Sequence, residues 1–274
     1  EVFRDEPVSS GRFRQFTQCD ADIIGEISAK AEAECMSMIR DILKELKIDA
    51  EIEINNRKLL TSIIESVQIS QVKEVMKELD KLDKLGEDII KTNLRKYAST
   101  NQILTLFKLL EKPLDFFIEN AFEGSQQLFE LFENSKLYNL NLNFNPSLAR
   151  GLGYYTGNIF EVKIKGEKNT IAAGGRYDKL IGRFINKEIP AFGLSFGLER
   201  LTILATIKAK GISALIISIE QEKESIKLAN KLRKENISCI ITFNQPGKQL
   251  EYANSYGIPY AIFIGAEEIE KNKI

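Results

Sequence analysis

The sequence predicts an α+β fold: an antiparallel sheet with flanking helices and a helical insertion, followed by a partial, separate α/β domain. Three observations carry this. Residues 1–67 and 138–210 contain segments in which apolar and polar residues alternate, the period of a half-buried strand. Between them, roughly residues 68–137 are charged, helix-patterned and nearly free of glycine, which marks an insertion. From residue 211 onward, apolar strand-like runs alternate with helical patterns, the arrangement of parallel strands joined by crossover helices.

Taken in order, Glu1–Asp5 and Arg12–Ile24 alternate around the turn Pro7–Gly11 and predict a β-hairpin with a long loop. Glu26–Lys47 repeats apolar residues at helical spacing and predicts one long amphipathic helix. Asp49–Ile54 is a short strand and Asn55–Glu65 opens a helix. Inside the insertion, Val72–Leu82, Asn101–Leu110 and Gly124–Phe132 show i, i+3, i+4 recurrence, and their charges form a solvated face. Strands are expected at Tyr138–Phe144, Asn158–Lys163, Thr170–Ala173 and Ala191–Phe196, with helices at Arg176–Phe184 and Gly197–Lys208. Lys208–Gly211 is a boundary, beyond which Ile212–Ile219, Ile237–Phe243 and Pro259–Ile264 are strands and Glu222–Glu235 and Gly247–Tyr256 are helices.

Composition excludes several chemistries. The chain of 274 residues has no histidine, which removes Ser-His-Asp hydrolysis, imidazole acid–base catalysis and His-ligated metals. Cys19, Cys35 and Cys239 are scattered and odd in number, neither a disulfide framework nor a zinc pattern, and fit a reducing, cytoplasmic setting. A net charge of −1 leaves no global basic field, so any RNA contact must use local patches. The longest apolar runs, such as Ala214–Ile219, are strand-sized, so no membrane span is expected. Glu1–Arg4 is a strand in mid-flow without an initiator Met, so the chain is expected to start inside a domain.

Four segments carry chemistry. On the hairpin, Arg4 and Glu6 share one strand face, while Arg12, Arg14, Phe16, Gln18 and Asp22 alternate along the other strand. Such a face is too charged to bury. Against a ligand, its guanidinium groups suit phosphates and its aromatic ring suits a base. Ala149–Gly157 places Arg150, three glycines and the pair Tyr154–Tyr155 in nine residues, a density of glycine that a core strand would not tolerate. If extended, Tyr154 and Tyr155 would point to opposite faces. Ala172–Asp178 is a glycine turn bearing Arg176 and Tyr177. In Ala191–Leu201 a small-residue strand feeds a helix with Arg200 in its first turn, unfavourable to the macrodipole unless an anion compensates.

In this order the four segments resemble the class II histidyl-tRNA synthetases. Phe3-Arg4-Asp5-Glu6 with Gly11-Arg12-Phe13-Arg14-Gln15-Phe16 is similar to motif 2. Arg150–Gly157 is similar to the histidine-specific motif, Gly174–Asp178 to its companion, and Gly193–Arg200 to motif 3. The last sixty-odd residues resemble the family's anticodon-binding domain. The resemblance implies a histidine–tRNA ligase that forms histidyl adenylate from L-histidine and ATP with Mg2+, then charges tRNA(His). It implies catalytic roles for Arg4, Arg150 and Arg200, with ATP held by Arg4, Glu6, Arg12, Phe16 and Arg200. Gln18, Asp22, Arg150, Tyr154, Tyr155 and Tyr177 fall to the histidine pocket, and no residue to a resident metal. The insertion would clamp the tRNA acceptor stem, and the full-length parent would be a homodimer.

Motif 1 should precede Glu1 and is missing, and the last elements of the anticodon-binding domain are missing too. A fragment is therefore expected, with weak or no aminoacylation alone. Two rivals share the resemblance: the synthetase-like regulatory subunit of ATP phosphoribosyltransferase, and a sensor module binding uncharged tRNA. Neither would support histidine-dependent pyrophosphate exchange.

Overall fold

The computed structural model describes every residue except 6–7, 9–12, 151–152, 167–169, 207–210, 244–245 and 271–274. The chain divides into two compact units, Glu1–Thr206 and Ile207–Ile274.

In the first unit, β1 (Val2–Phe3) pairs antiparallel with β2 (Gln15–Phe16), and β3 (Gln18–Ile24) follows. The single strand expected over 12–24 is broken at Thr17, whose amide leaves the ladder and donates to the Glu199 carboxylate at 2.8 Å. Next come α1 (Ala29–Leu46), β4 (Ala50–Asn56) and α2 (Arg57–Ser66). The core stripe of α1 is Met36, Ile39 and Leu43, all buried. The Asn56 side chain caps α2 by accepting the Lys58 amide at 2.8 Å.

The insertion is helical: α3 (Val72–Leu79), α4 (Leu82–Leu85), α5 (Glu87–Leu94), α6 (Thr100–Leu110), α7 (Leu114–Glu119) and α8 (Ser125–Leu137). Ser99 and Gln102 form a capping box that starts α6. The unit closes with β5 (Leu142–Phe144), β6 (Asn158–Ile164), β7 (Thr170–Arg176), α9 (Gly182–Ile185), β8 (Ala191–Gly197) and α10 (Leu198–Leu204). The helix expected from Arg176 is not there. The ladder runs through Gly174 and Gly175 to Arg176, which pairs with Phe192, and only Gly182–Ile185 is helical.

Six strands form one sheet in the order β3-β8-β7-β6-β4-β5, antiparallel except for the parallel β4–β5 pair. Register makes its two faces unlike. Directly opposed residues share a face, so Phe192, Leu194 and Phe196 of β8 line up with Ala172 and Gly174 of β7, Phe160 and Val162 of β6, and Ile52 and Ile54 of β4. Helix α1 packs against this apolar face at β3 and β8, and α8 packs on α1 and β4. Each buried large side chain there contributes about 1.5–3 kcal/mol relative to exposure. The opposite face carries Gln18, Asp20 and Asp22, then Gly193 and Ser195, Ala173 and Gly175, Glu161, and Glu53. It is polar at its ends and nearly bare in its middle.

In the second unit, β9 (Ala214–Ser218), α11 (Glu222–Lys234), β10 (Cys239–Thr242), α12 (Pro246–Ser255), β11 (Tyr260–Ile264) and α13 (Ala266–Glu270) alternate. The strands are parallel in the order β10-β9-β11. Leu215 and Ile217 pack on one side and Ile216 on the other, so the central strand is buried on both faces. No helix among the described residues is long and apolar enough to cross a membrane.

Candidate active site

The bare middle of the polar sheet face brings Asp22, Tyr177, Tyr154 and Tyr155 together. Gly193 creates the room. A Cβ there would collide with Asp22 Oδ1 and lie 3.2 Å from Tyr177 Cε1. In that space the Tyr177 hydroxyl donates to Asp22 Oδ1. Burial, then the Asp22 carboxylate, pushes the Tyr177 phenol's pKa upward, so the phenol keeps the proton it donates. The Tyr154 ring stands edge-on to Tyr177 with centroids 6.1 Å apart, and lies 4.6 Å from the Tyr155 ring. Neither tyrosine lies in a strand, so the condition under which they would face opposite ways is not met, and their hydroxyls lie 3.5 Å apart. On β3, Gln18 Nε2 donates to Ser195 Oγ, on the same face as Asp22.

Beside the tyrosines lies a rail of charge. Buried Asn55 grips the loop ahead of Arg150, donating to the carbonyls of Pro146 at 3.0 Å and Leu148 at 2.9 Å. Arg57 Nη1 donates to the Arg150 carbonyl at 3.2 Å. The Arg150 guanidinium meets Glu161 Oε1 at 2.6 Å, and Glu161 Oε2 accepts the Thr170 hydroxyl at 2.9 Å. The Thr170 carbonyl in turn accepts Arg200 Nη1. Arg150 and Arg200, fifty residues apart, are thus joined through Glu161 and Thr170. Burial, the largest single influence, would lower the Arg150 pKa, but the Glu161 carboxylate, Tyr155 and Asp80 together outweigh it and the net shift is upward. Burial, then the Tyr155 hydroxyl, pushes the Tyr154 phenol's pKa upward, with the Arg150 charge pulling the other way.

The hairpin supplies a third group. The Arg4 guanidinium stacks on the Phe16 ring, 3.7 Å from its centroid. The Glu199 carboxyl is held below its usual pKa by backbone N–H groups, its own and then that of Thr17, with the Arg4 charge adding to the effect. Leu198 donates to the Thr17 carbonyl at 3.0 Å, so the hairpin is fastened to the start of α10, two residues from Arg200. Glu6 and Arg12 lie outside the described residues.

Sequence reasoning did not single out Glu161, Thr170, Ser195 or Glu32. The signal at Glu161 was its place in a strand between Phe160 and Val162, a charge that its face had to satisfy. Glu32 lies one helical turn before Met36 on the core stripe of α1, an acid where an apolar residue belongs.

The family model described as histidyl-tRNA synthetase matches residues 1–201, and that described as anticodon binding domain matches residues 211–274. A histidine–tRNA ligase 1 of Bacillus cereus is 36% identical over 294 residues, covering 98% of this chain and 69% of the relative. The crystal structure of histidyl-tRNA synthetase from Nostoc sp. PCC 7120 is similar with a TM-score of 0.83 and 29% identity, over 94% of this chain and 69% of that one. A structure described as an ATP phosphoribosyltransferase regulatory subunit/histidyl-tRNA synthetase from Bacillus halodurans C shares the fold, with a TM-score of 0.73 at 18% identity, over 91% of this chain and 68% of that one.

Proposed function

The chain belongs to the histidyl-tRNA synthetase family, and we propose that the polar sheet face is where histidine and ATP are joined before transfer to tRNA(His). The function is histidine–tRNA ligation. The observation that supports the site is the placement of Asp22, Tyr177 and Tyr154 around a floor kept open by Gly193, with Arg150 paired to Glu161 on the same sheet face.

In this reading Asp22, Gln18 and the three tyrosines hold the histidine side chain and amino group. Asp22 accepts from Tyr177 with one oxygen, leaving the other for an imidazole or ammonium N–H. The histidine carboxylate attacks the α-phosphorus of ATP, a P–O bond forms, and pyrophosphate leaves. That approach brings two anions together and needs fixed positive charge more than proton transfer. Arg4 and Arg150 supply it at the α-phosphate and Arg200 at the γ-phosphate, while Phe16 stacks on the adenine. Glu6 and Arg12 hold the adenine and the β- and γ-phosphates in the same proposal. Mg2+ belongs to the substrate as the magnesium salt of ATP, a metal that is held largely by phosphates and water. No group of three or more acidic or cysteine side chains among the described residues forms a metal cage. The terminal ribose hydroxyl of tRNA(His) then displaces AMP. The insertion is assigned to the acceptor stem and the second unit to the anticodon, in a cytoplasmic homodimer.

Equilibrium dialysis with radiolabelled histidine, followed by pyrophosphate exchange with each amino acid on the full-length protein, tests this. Exchange that depends on histidine alone is the expected result. Its complete absence, with no histidine bound, would favour a regulatory subunit and overturn the assignment. Gly193→Ala sharpens the test. The new methyl displaces the carboxylate of Asp22, the movable end of a side chain, so the fold should survive. Histidine affinity should fall at least about tenfold, while ATP affinity stays within about twofold.

A further inference from the structure

A buried ion pair lies beneath the tyrosines and takes no part in the reaction described above. Glu32 of α1 is 2% exposed and Arg176, the last residue of β7, is 6% exposed. Arg176 Nε donates to Glu32 Oε1, and its Nη1 lies 3.2 Å from Asp178 Oδ1. The second Glu32 oxygen accepts Asn158 Nδ2 at 2.6 Å. Asn158 Oδ1 accepts Asn56 Nδ2 at 2.7 Å, which carries the network to the cap of α2. On the other side, Asp178 accepts the Thr156 hydroxyl at 3.2 Å and the Ala191 amide at 3.1 Å. Thr156 donates its amide to the Arg176 carbonyl at 2.8 Å and accepts the Asp178 amide at 3.1 Å.

The network therefore grips the chain at Thr156, directly after Tyr155, and at Arg176 and Asp178, on either side of Tyr177. A buried ion pair is a poor source of stability, because apolar residues of similar volume commonly do as well. Its geometric demands are strict, however, since both charges must be met by correctly placed partners. That combination fits a part whose value is placement.

We propose that Glu32 and Arg176 are positioning residues that set the spacing of Tyr155 and Tyr177, and thereby histidine affinity, without touching the ligand. This rests on the histidine site assigned above. Burial pushes the Glu32 pKa upward against the pull of Arg176 and Asn158, so the carboxylate depends on both partners.

The test is the double variant Glu32→Leu/Arg176→Met, which removes both charges together and leaves neither one buried alone. Histidine and ATP affinities are read by equilibrium dialysis on the full chain, with circular dichroism as the control for folding. The expected result is a folded protein whose histidine affinity falls at least about tenfold while ATP affinity stays within about twofold. The tyrosine emission should shift with it, a clean signal in a chain with eight Tyr and no Trp. Unchanged histidine affinity, or equal losses for both ligands, would overturn the proposal. If the double variant does not fold, Glu32→Asp, one methylene shorter, is read for the same two affinities with the same outcomes. Failure of the unsubstituted chain to bind histidine would overturn the site assignment itself, and this proposal with it. Failure of the positioning claim alone leaves that binding intact.

Discussion

Arg150→Ala is expected to cut histidine-dependent ATP–pyrophosphate exchange at least about a hundredfold relative to the unsubstituted protein, the effect of removing one preorganised group from a developing charge. Binding of tRNA should change by less than about twofold, because the proposed RNA contacts lie on the insertion and the second unit. The substitution has a second consequence that must be separated from the first. Arg150 is the cation of Glu161, whose side chain is only 13% exposed. Removing it strands that carboxylate, and losing one partner of a well-buried pair costs about 3–5 kcal/mol; partial exposure makes the cost smaller here. Arg150→Ala/Glu161→Gln removes the stranded charge and should restore most of the melting temperature without restoring exchange. Arg150→Lys keeps a charge near Glu161 but loses the planar fork, so it should fold normally and still be impaired. Exchange that persisted unchanged in Arg150→Ala would remove Arg150 from the chemistry.

The glycines of β7 and β8 also show what the sequence made legible and what it hid. Alternation located β3, β6 and β8, because one face of each is apolar and the other polar or bare; that contrast is written in every second residue. The three tyrosines and three arginines were legible as residue types that a core would not hold. The partners were not. Nothing local says that Arg200 will cross to the Thr170 carbonyl or that Arg150 will find Glu161, since both depend on register between β6, β7 and β8. Strand ends were hidden for the same reason. Gly174-Gly175 has the composition of a turn, yet it continues β7, because neighbouring strands approach too closely for a side chain. The break at Thr17 leaves the alternation on both sides intact and is set by Glu199, 182 residues away.

Gly174→Ala should therefore have the largest effect on stability. A Cβ at Gly174 would collide with the carbonyl oxygen of Gly193 and lie 2.8 Å from Phe160 Cε1 and 2.9 Å from Leu194 Cα. Two of these are backbone atoms of the adjacent strand, and the third belongs to a ring with 0% exposure. None can swing aside as Asp22 can for Gly193→Ala. Relief requires β7 and β8 to separate at the Gly174–Leu194 pair, in the middle of the ladder. Overpacking that forces backbone movement costs about 3 kcal/mol at the upper end of its usual range. In a unit of this size that lowers the melting temperature by about 6–12 °C. The second unit has its own core around Leu215 and Ile216, so its hydrogen-exchange protection should stay as it was while protection in β6, β7 and β8 falls. An unchanged melt would mean that the two strands are not spaced as described. The floor of the proposed histidine site would then lose its basis, because Gly193 belongs to the same closely packed pair of strands.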